Sequence, residues 1–135
     1  MIHEIQVQFT KIDNNGNDKV IKEKYLVVEA ASFGDAETQG YDHCNGETDL
    51  DVVAIKRSKI KEIINVREND EQRIFVADVA DVRTNDDGEE VELIYKVALF
   101  AKDLDAAYVT IKEWMKQGYD MVAVAVKKTK FLDAI

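Results

Sequence analysis

The sequence predicts an α+β fold, an internal duplication of a ββαβ unit with pseudo-twofold symmetry and mainly antiparallel sheet packed against two helices. Three observations predict it. Two turn signals, Asp13-Asn14-Asn15-Gly16 and Asn85-Asp86-Asp87-Gly88, each separate two strand-like runs. An amphipathic stretch follows each of these hairpins. A short apolar run ending in basic residues follows each amphipathic stretch. Residues 1–66 then form the first repeat and 67–135 the second, together making one compact domain.

In the first repeat, residues 2–12 alternate, with Ile5, Val7, Phe9 and Lys11 on one face. Residues 20–30 carry Val20, Ile21, Tyr25, Leu26, Val27 and Val28 as the returning strand. Ser32 or Asp35 caps a helix through Ala36, Tyr41 and Cys44. Gly40 weakens that helix by about 1 kcal/mol against alanine, and Gly46 stops it. Asp51-Val52-Val53-Ala54-Ile55 closes the unit.

The second repeat follows the same order. Ile74, Val76 and Asp78 alternate with Phe75, Ala77, Val79 and Asp81 before the turn. Val91, Leu93, Tyr95, Val97 and Leu99 keep period two after it. Asp103 caps a helix with Leu104, Ala107, Tyr108, Ile111, Trp114 and Met115 at helical spacing, and Gly118 ends it. Residues 25–36 align over 95–106 with five of twelve identities. Asp51 to Ile55 align over Asp120 to Val124, and the basic blocks beginning at Lys56 and Lys127 align next. Ala125 and Val126 are then a two-residue insertion, which preserves strand facing. A second repeat, Gln39-Gly40-Tyr41-Asp42 and Gln117-Gly118-Tyr119-Asp120, competes at another offset. The two units can share one sheet or form two packed sheets.

A chain of 135 residues is long enough to bury a core without staples. Lone Cys44 rules out an intramolecular disulfide and suits a reducing cytoplasm. No run of about 18 apolar residues is present, so no membrane partner is expected, and no signal-peptide pattern opens the chain. The net charge of −9 disfavours nucleic acid held by phosphate neutralisation.

Several motifs together resemble a family, domain of unknown function 4494, found in Bacteroidetes bacteria and their phages. They are Tyr25-Leu26-Val27 leading to Ala31-Ser32-Phe33-Gly34-Asp35-Ala36-Glu37, then Val53-Ala54-Ile55-Lys56-Arg57, and Asp103-Leu104-Asp105-Ala106. Gly34-Asp35 stands where the family shows Thr-Glu. The resemblance implies a Bacteroidetes or phage origin and no particular activity.

No catalytic constellation emerges. His43 and Cys44 are neighbours, and on a helix neighbours point about 100° apart, which is no dyad. Asp42, His43, Cys44, Glu47 and Asp49 cluster without a metal-ligand spacing, so neither metal nor cofactor is expected. Asp78 and Asp81 interrupt an apolar strand and mark a solvent face or a charge-guarded edge. The glycines form no phosphate loop.

Two basic clusters remain. Lys56, Arg57, Lys59 and Lys61 lie together, and Lys127, Lys128 and Lys130 take the matching place in the second repeat. They can meet an anionic small ligand or an acidic partner surface, or simply keep strand ends soluble. The expected function is a non-catalytic binding or assembly module, not an enzyme, acting on a protein partner or self-associating as a homo-oligomer. The alternative is a nucleotide- or nucleic-acid-binding accessory protein using the paired clusters. Only Phe131 supplies an aromatic ring within them.

Overall fold

A computed structural model describes residues 1–117 and 121–135. In chain order its elements are β1 (His3–Ile12), β2 (Asp18–Val27), α1 (Phe33–His43), β3 (Thr48–Arg57), β4 (Ile60–Ile63), β5 (Arg73–Thr84), β6 (Glu90–Ala101), α2 (Leu104–Met115), β7 (Met121–Lys128) and β8 (Phe131–Ala134). They make an α+β fold with two four-stranded mixed sheets. The chain divides into two compact units, residues 1–58 with 131–135, and residues 59–130. The sequence predicts a boundary at 66/67, whereas the compact units part at 58/59 and 130/131.

In the first unit the strand order is β3-β1-β2-β8. β1 pairs antiparallel with β2 and β3, and β8 joins β2 in parallel. The first turn closes as the residue types demand. Asp13 Oδ1 accepts the amides of Asn15 and Asn17, both at 2.9 Å, and Gly16 takes φ 80°. Ser32 is the helix cap, its hydroxyl accepting the Asp35 amide at 3.1 Å. Asp35 returns the bond by accepting the Ala31 amide at 2.9 Å. Ile5, Val7, Phe9, Tyr25, Val27 and Ala36 form the core under the helix.

The second unit repeats this topology with strand order β4-β6-β5-β7. β5 pairs antiparallel with β6 and β7, and β4 joins β6 in parallel. Asn85 Oδ1 accepts from Asp87 at 3.0 Å and Glu89 at 2.9 Å, and Gly88 takes φ 79°. Asp103 caps α2 by accepting the Ala106 amide at 2.8 Å. Phe75, Ala77, Val79, Val97, Leu99, Ala107 and Ile111 form its core. Gly118, expected to end this helix, lies outside the described residues, as do Tyr119 and Asp120.

Register sharpens the correspondence and corrects two parts of the sequence alignment. The N-caps Ser32 and Asp103 are equivalent, so buried Ala36 matches buried Ala107 instead of Ala106. The twelve-residue alignment is therefore one residue out of step at the helix start. The supposed insertion of Ala125 and Val126 also disappears. β3 and β7 each carry an irregularity that skips one residue, Val53 between Val52 and Ala54, and Val124 between Ala123 and Ala125. From Leu50 over Met121 to Arg57 over Lys128 the pattern of half-buried and exposed residues is identical.

Edge strands are the further difference. Each closing block of the sequence reading ends in a short strand that adds to the other unit's sheet. β4 follows β3 in the chain yet completes the second sheet, and β8 follows β7 yet completes the first. Ile135 bonds Leu26 at 2.7 Å to anchor β8. The Asn65 side chain bonds both backbone groups of Phe100, at 2.9 and 2.7 Å, to extend β4.

Candidate functional site

Each unit carries a cleft at the same place in its fold. It opens where the first turn of the helix, the start of the central strand and the end of the edge strand meet. In the first unit Met1, His3, Ala31, Ser32, Phe33 and Arg57 line a cavity of about 690 Å³. In the second Arg73, Phe75, Lys102, Asp103, Leu104 and Lys128, with Val126 and Lys127, line one of about 480 Å³. Strand register and helix caps equate these residues pairwise: Met1 with Arg73, His3 with Phe75, Ala31 with Lys102, Ser32 with Asp103, Phe33 with Leu104, and Arg57 with Lys128.

The chemistry of the two clefts differs. The first holds Arg57 and a buried His3, whose ring stands edge-on to Phe33 at 5.5 Å and whose Nδ1 lies 3.2 Å from the Met1 carbonyl. The second holds four cations, Arg73, Lys102, Lys127 and Lys128, against the single carboxylate of Asp103. That carboxylate is already committed to the Ala106 amide. Arg73 is braced by the carbonyls of Asp70 at 2.8 Å and Gln72 at 3.1 Å. Among the described residues Lys102, Lys127 and Lys128 make no ion pair. Val126 packs on the helix side of the sheet, so Lys128 shares that face and Lys127 lies on the other. The pair flanks the strand end from both sides.

The sequence clusters come apart on this geometry. Lys56 pairs with Glu4 at 3.7 Å, outside the first cleft. Lys61 lies on β4, at the edge of the second sheet opposite β7, with its ammonium 4.8 Å from the centre of the Tyr95 ring. Lys59 and Lys130 are exposed in the turns before β4 and β8. Arg57, Lys127 and Lys128 reach the clefts. Arg73 and Lys102 belong to neither sequence cluster because they sit far from residues 127–130 in sequence. Only the pairing of β5 with β7, and the cap that fixes the start of α2, bring them there.

The acids on β5 are also placed differently from expectation. β5 is a central strand, not an edge. Asp78 bonds Lys96 directly across the ladder at 2.6 Å, and buried Asp81 takes Arg83 at 2.9 Å. Both carboxylates are therefore paired within the sheet.

Two further reactive groups, Cys44 and Tyr25, are held toward their neutral forms. Cys44 is buried, and burial together with the Glu23 carboxylate pushes its thiol up, away from the nucleophilic thiolate. Burial and the 2.6 Å bond to Glu23 hold the Tyr25 phenol protonated far beyond the usual range. His43 lays its ring against Tyr25 at 4.9 Å. Among the described residues no three His, Cys, Asp or Glu side chains gather as metal ligands, and no helix is long and apolar enough to cross a membrane.

The whole chain, residues 1–135, matches the family described as a domain of unknown function, DUF4494, and the protein belongs to that family. No curated protein and no solved structure matches it.

Proposed function

We propose that this member of the DUF4494 family is a non-catalytic binding module whose ligand is anionic and sits in the basic cleft of the second unit. The observation that carries the reading is the convergence of Arg73, Lys102 and Lys128 on one cavity, with Lys127 on the other face of the same strand end, in a chain of net charge −9. Holding like charges close together costs energy in the free protein. An acidic group that enters relieves that repulsion and gains charge-assisted hydrogen bonds. The groups are exposed, so attraction falls as salt shortens the screening length, about 8 Å at physiological ionic strength.

The likeness of the two units supports an origin by internal duplication, with the second cleft gaining charge at positions held by Met1 and Ala31 in the first. The family resemblance supports a Bacteroidetes or phage source. Scarcity of cysteine supports a reducing cytoplasm. A nucleotide ligand draws less support, because Phe75, the ring of the charged cleft, is buried and offers no stacking face.

Calorimetric titration with hexaglutamate tests the reading. Replacing Lys102, Lys127 and Lys128 together by glutamine should weaken binding at least tenfold with the fold unchanged by circular dichroism. Equal affinity in wild type and variant, or no binding to either at low salt, overturns it.

A further inference from the structure

We propose that the second unit receives its ligand as an extended acidic peptide, added as a strand to the open edge of β7, with its carboxylates in the basic cleft. This rests on the anion-binding reading and names the ligand class. β7 is the last strand of its sheet, so one side of its backbone has no strand partner among the described residues. Unpaired edge groups are a template for another strand.

Three features make this edge receptive. Beside it, Leu104, Asp105, Tyr108, Ala123, Val124 and Val126 line a groove of about 320 Å³ between α2 and β7. Apart from Asp105 its lining residues are apolar yet open to solvent, with Leu104 52%, Tyr108 47% and Val124 57% exposed. The groove and the basic cleft share Leu104 and Val126, so they form one continuous surface. A strand lying along β7 would place alternate side chains against the groove, and acidic residues at the β7 end would meet Lys127, Lys128, Lys102 and Arg73. Charge complementarity selects an acidic segment over a neutral or basic one.

The first unit shows what a closed edge looks like on the same scaffold. There Tyr41, half-buried on α1, reaches the edge strand β3. Its hydroxyl donates to Asp51 at 2.9 Å and accepts the Val52 amide at 3.4 Å. The Val52 bond alone would lower the Tyr41 phenol, but the bond to Asp51, desolvation and the charges of Asp51 and Glu37 together outweigh it, and the group is raised. In the second unit Lys112 holds the position of Tyr41 and turns over the Tyr108 ring at 4.9 Å. Among the described residues no side chain reaches the Ala123 amide, the counterpart of Val52. Glu37, which would repel an acidic strand, is replaced by Tyr108, while Asp105 stands in the place of Gly34, so the acidic residues of a bound strand belong at the basic β7 end.

A fluorescein-labelled ten-residue peptide of alternating valine and threonine, with a glutamate pair at each end, tests the proposal by fluorescence anisotropy. A second peptide replaces the threonines by proline, keeping the charge but removing strand amides. The first should bind at least tenfold more tightly than the second. Tyr108→Gln should weaken the first peptide at least fivefold and leave hexaglutamate binding unchanged. Equal binding of both peptides, with hexaglutamate still lost on the lysine-to-glutamine change, overturns strand addition and leaves the anion site standing. Failure of hexaglutamate and both peptides overturns both readings. Tighter binding of a labelled single-stranded oligonucleotide at the same lysines also overturns the peptide proposal.

Discussion

The two units solve one packing problem with opposite residues. In the first, α1 meets the sheet through Gly40, and a Cβ there would lie 2.8 Å from Ile5 Cδ1 and 3.2 Å from Val52 Cγ2. In the second, register puts Ile111 at the place of Gly40 and Ala77 at the place of Ile5, both fully buried in one cluster. Bulk has moved from strand to helix while the space between them stays filled. The lesson is that the scaffold is held by its caps, its turn bonds and the skipped residue in the edge strand. Side-chain volume can trade across the layer provided the sum is kept.

Breaking that trade gives the largest expected effect. Ile111→Gly puts the first unit's residue into the second without the compensating isoleucine. It should cost about 3–5 kcal/mol from the cavity and the helix glycine together, read by urea denaturation. A loss below about 1 kcal/mol would mean that Ile111 does not fill the space as described.

The reverse change is smaller because two effects oppose. Gly40→Ala gains about 1 kcal/mol of helix propensity but drives a methyl into Ile5, and overpacking costs about 1–3 kcal/mol. A net loss is expected. Adding Ile5→Val, which deletes the clashing Cδ1, should recover most of it. If Gly40→Ala stabilises the protein on its own, the close approach is not limiting.

Capping sharpens the equivalence of the units. Ser32→Ala and Asp103→Ala should each cost about 1 kcal/mol, because each removes the acceptor for an amide in the first turn of its helix. A large cost at one and none at the other would break the pairing.

The smallest effect is confined to the first unit and depends on pH. The Cys44 thiol is raised in the folded state, so folding favours its neutral form. That contribution is fully present below the ordinary thiol range and is lost as pH rises through it. The stability difference between wild type and Cys44→Ala should therefore narrow from pH 7 to pH 10. A widening gap would give the shift the opposite sign.

Much of the fold was legible in the sequence because it depends on local chemistry. The Asp13 and Asn85 turns, the period-two strands and the Asp103 cap are all specified by residues within a few positions of one another. The error at the helix start arose because a run of identities, Tyr25 and Tyr95 among them, outweighed the cap signal. The exchange of β4 and β8 was not legible. Four-residue strands carry too little pattern to name a partner, and pairing with either hairpin buries a similar face. The site was half legible. Lys127 and Lys128 stood out as a basic run, but Arg73 and Lys102 are single residues that only the sheet brings to the cleft. Gly40 read as a weakness of the helix, and the neighbour that explains it, Ile5, lies on a strand far away in sequence.

On the proposed reading, two matching clefts differ in charge and the second one binds. Amide chemical-shift mapping during a hexaglutamate titration tests it most directly, because it reads both clefts in one sample. Saturable shifts are expected at Lys102, Leu104 and Val126 to Lys128, with Ala31, Phe33 and Arg57 unmoved. Equal shifts in the two clefts, or shifts confined to the first, would contradict it.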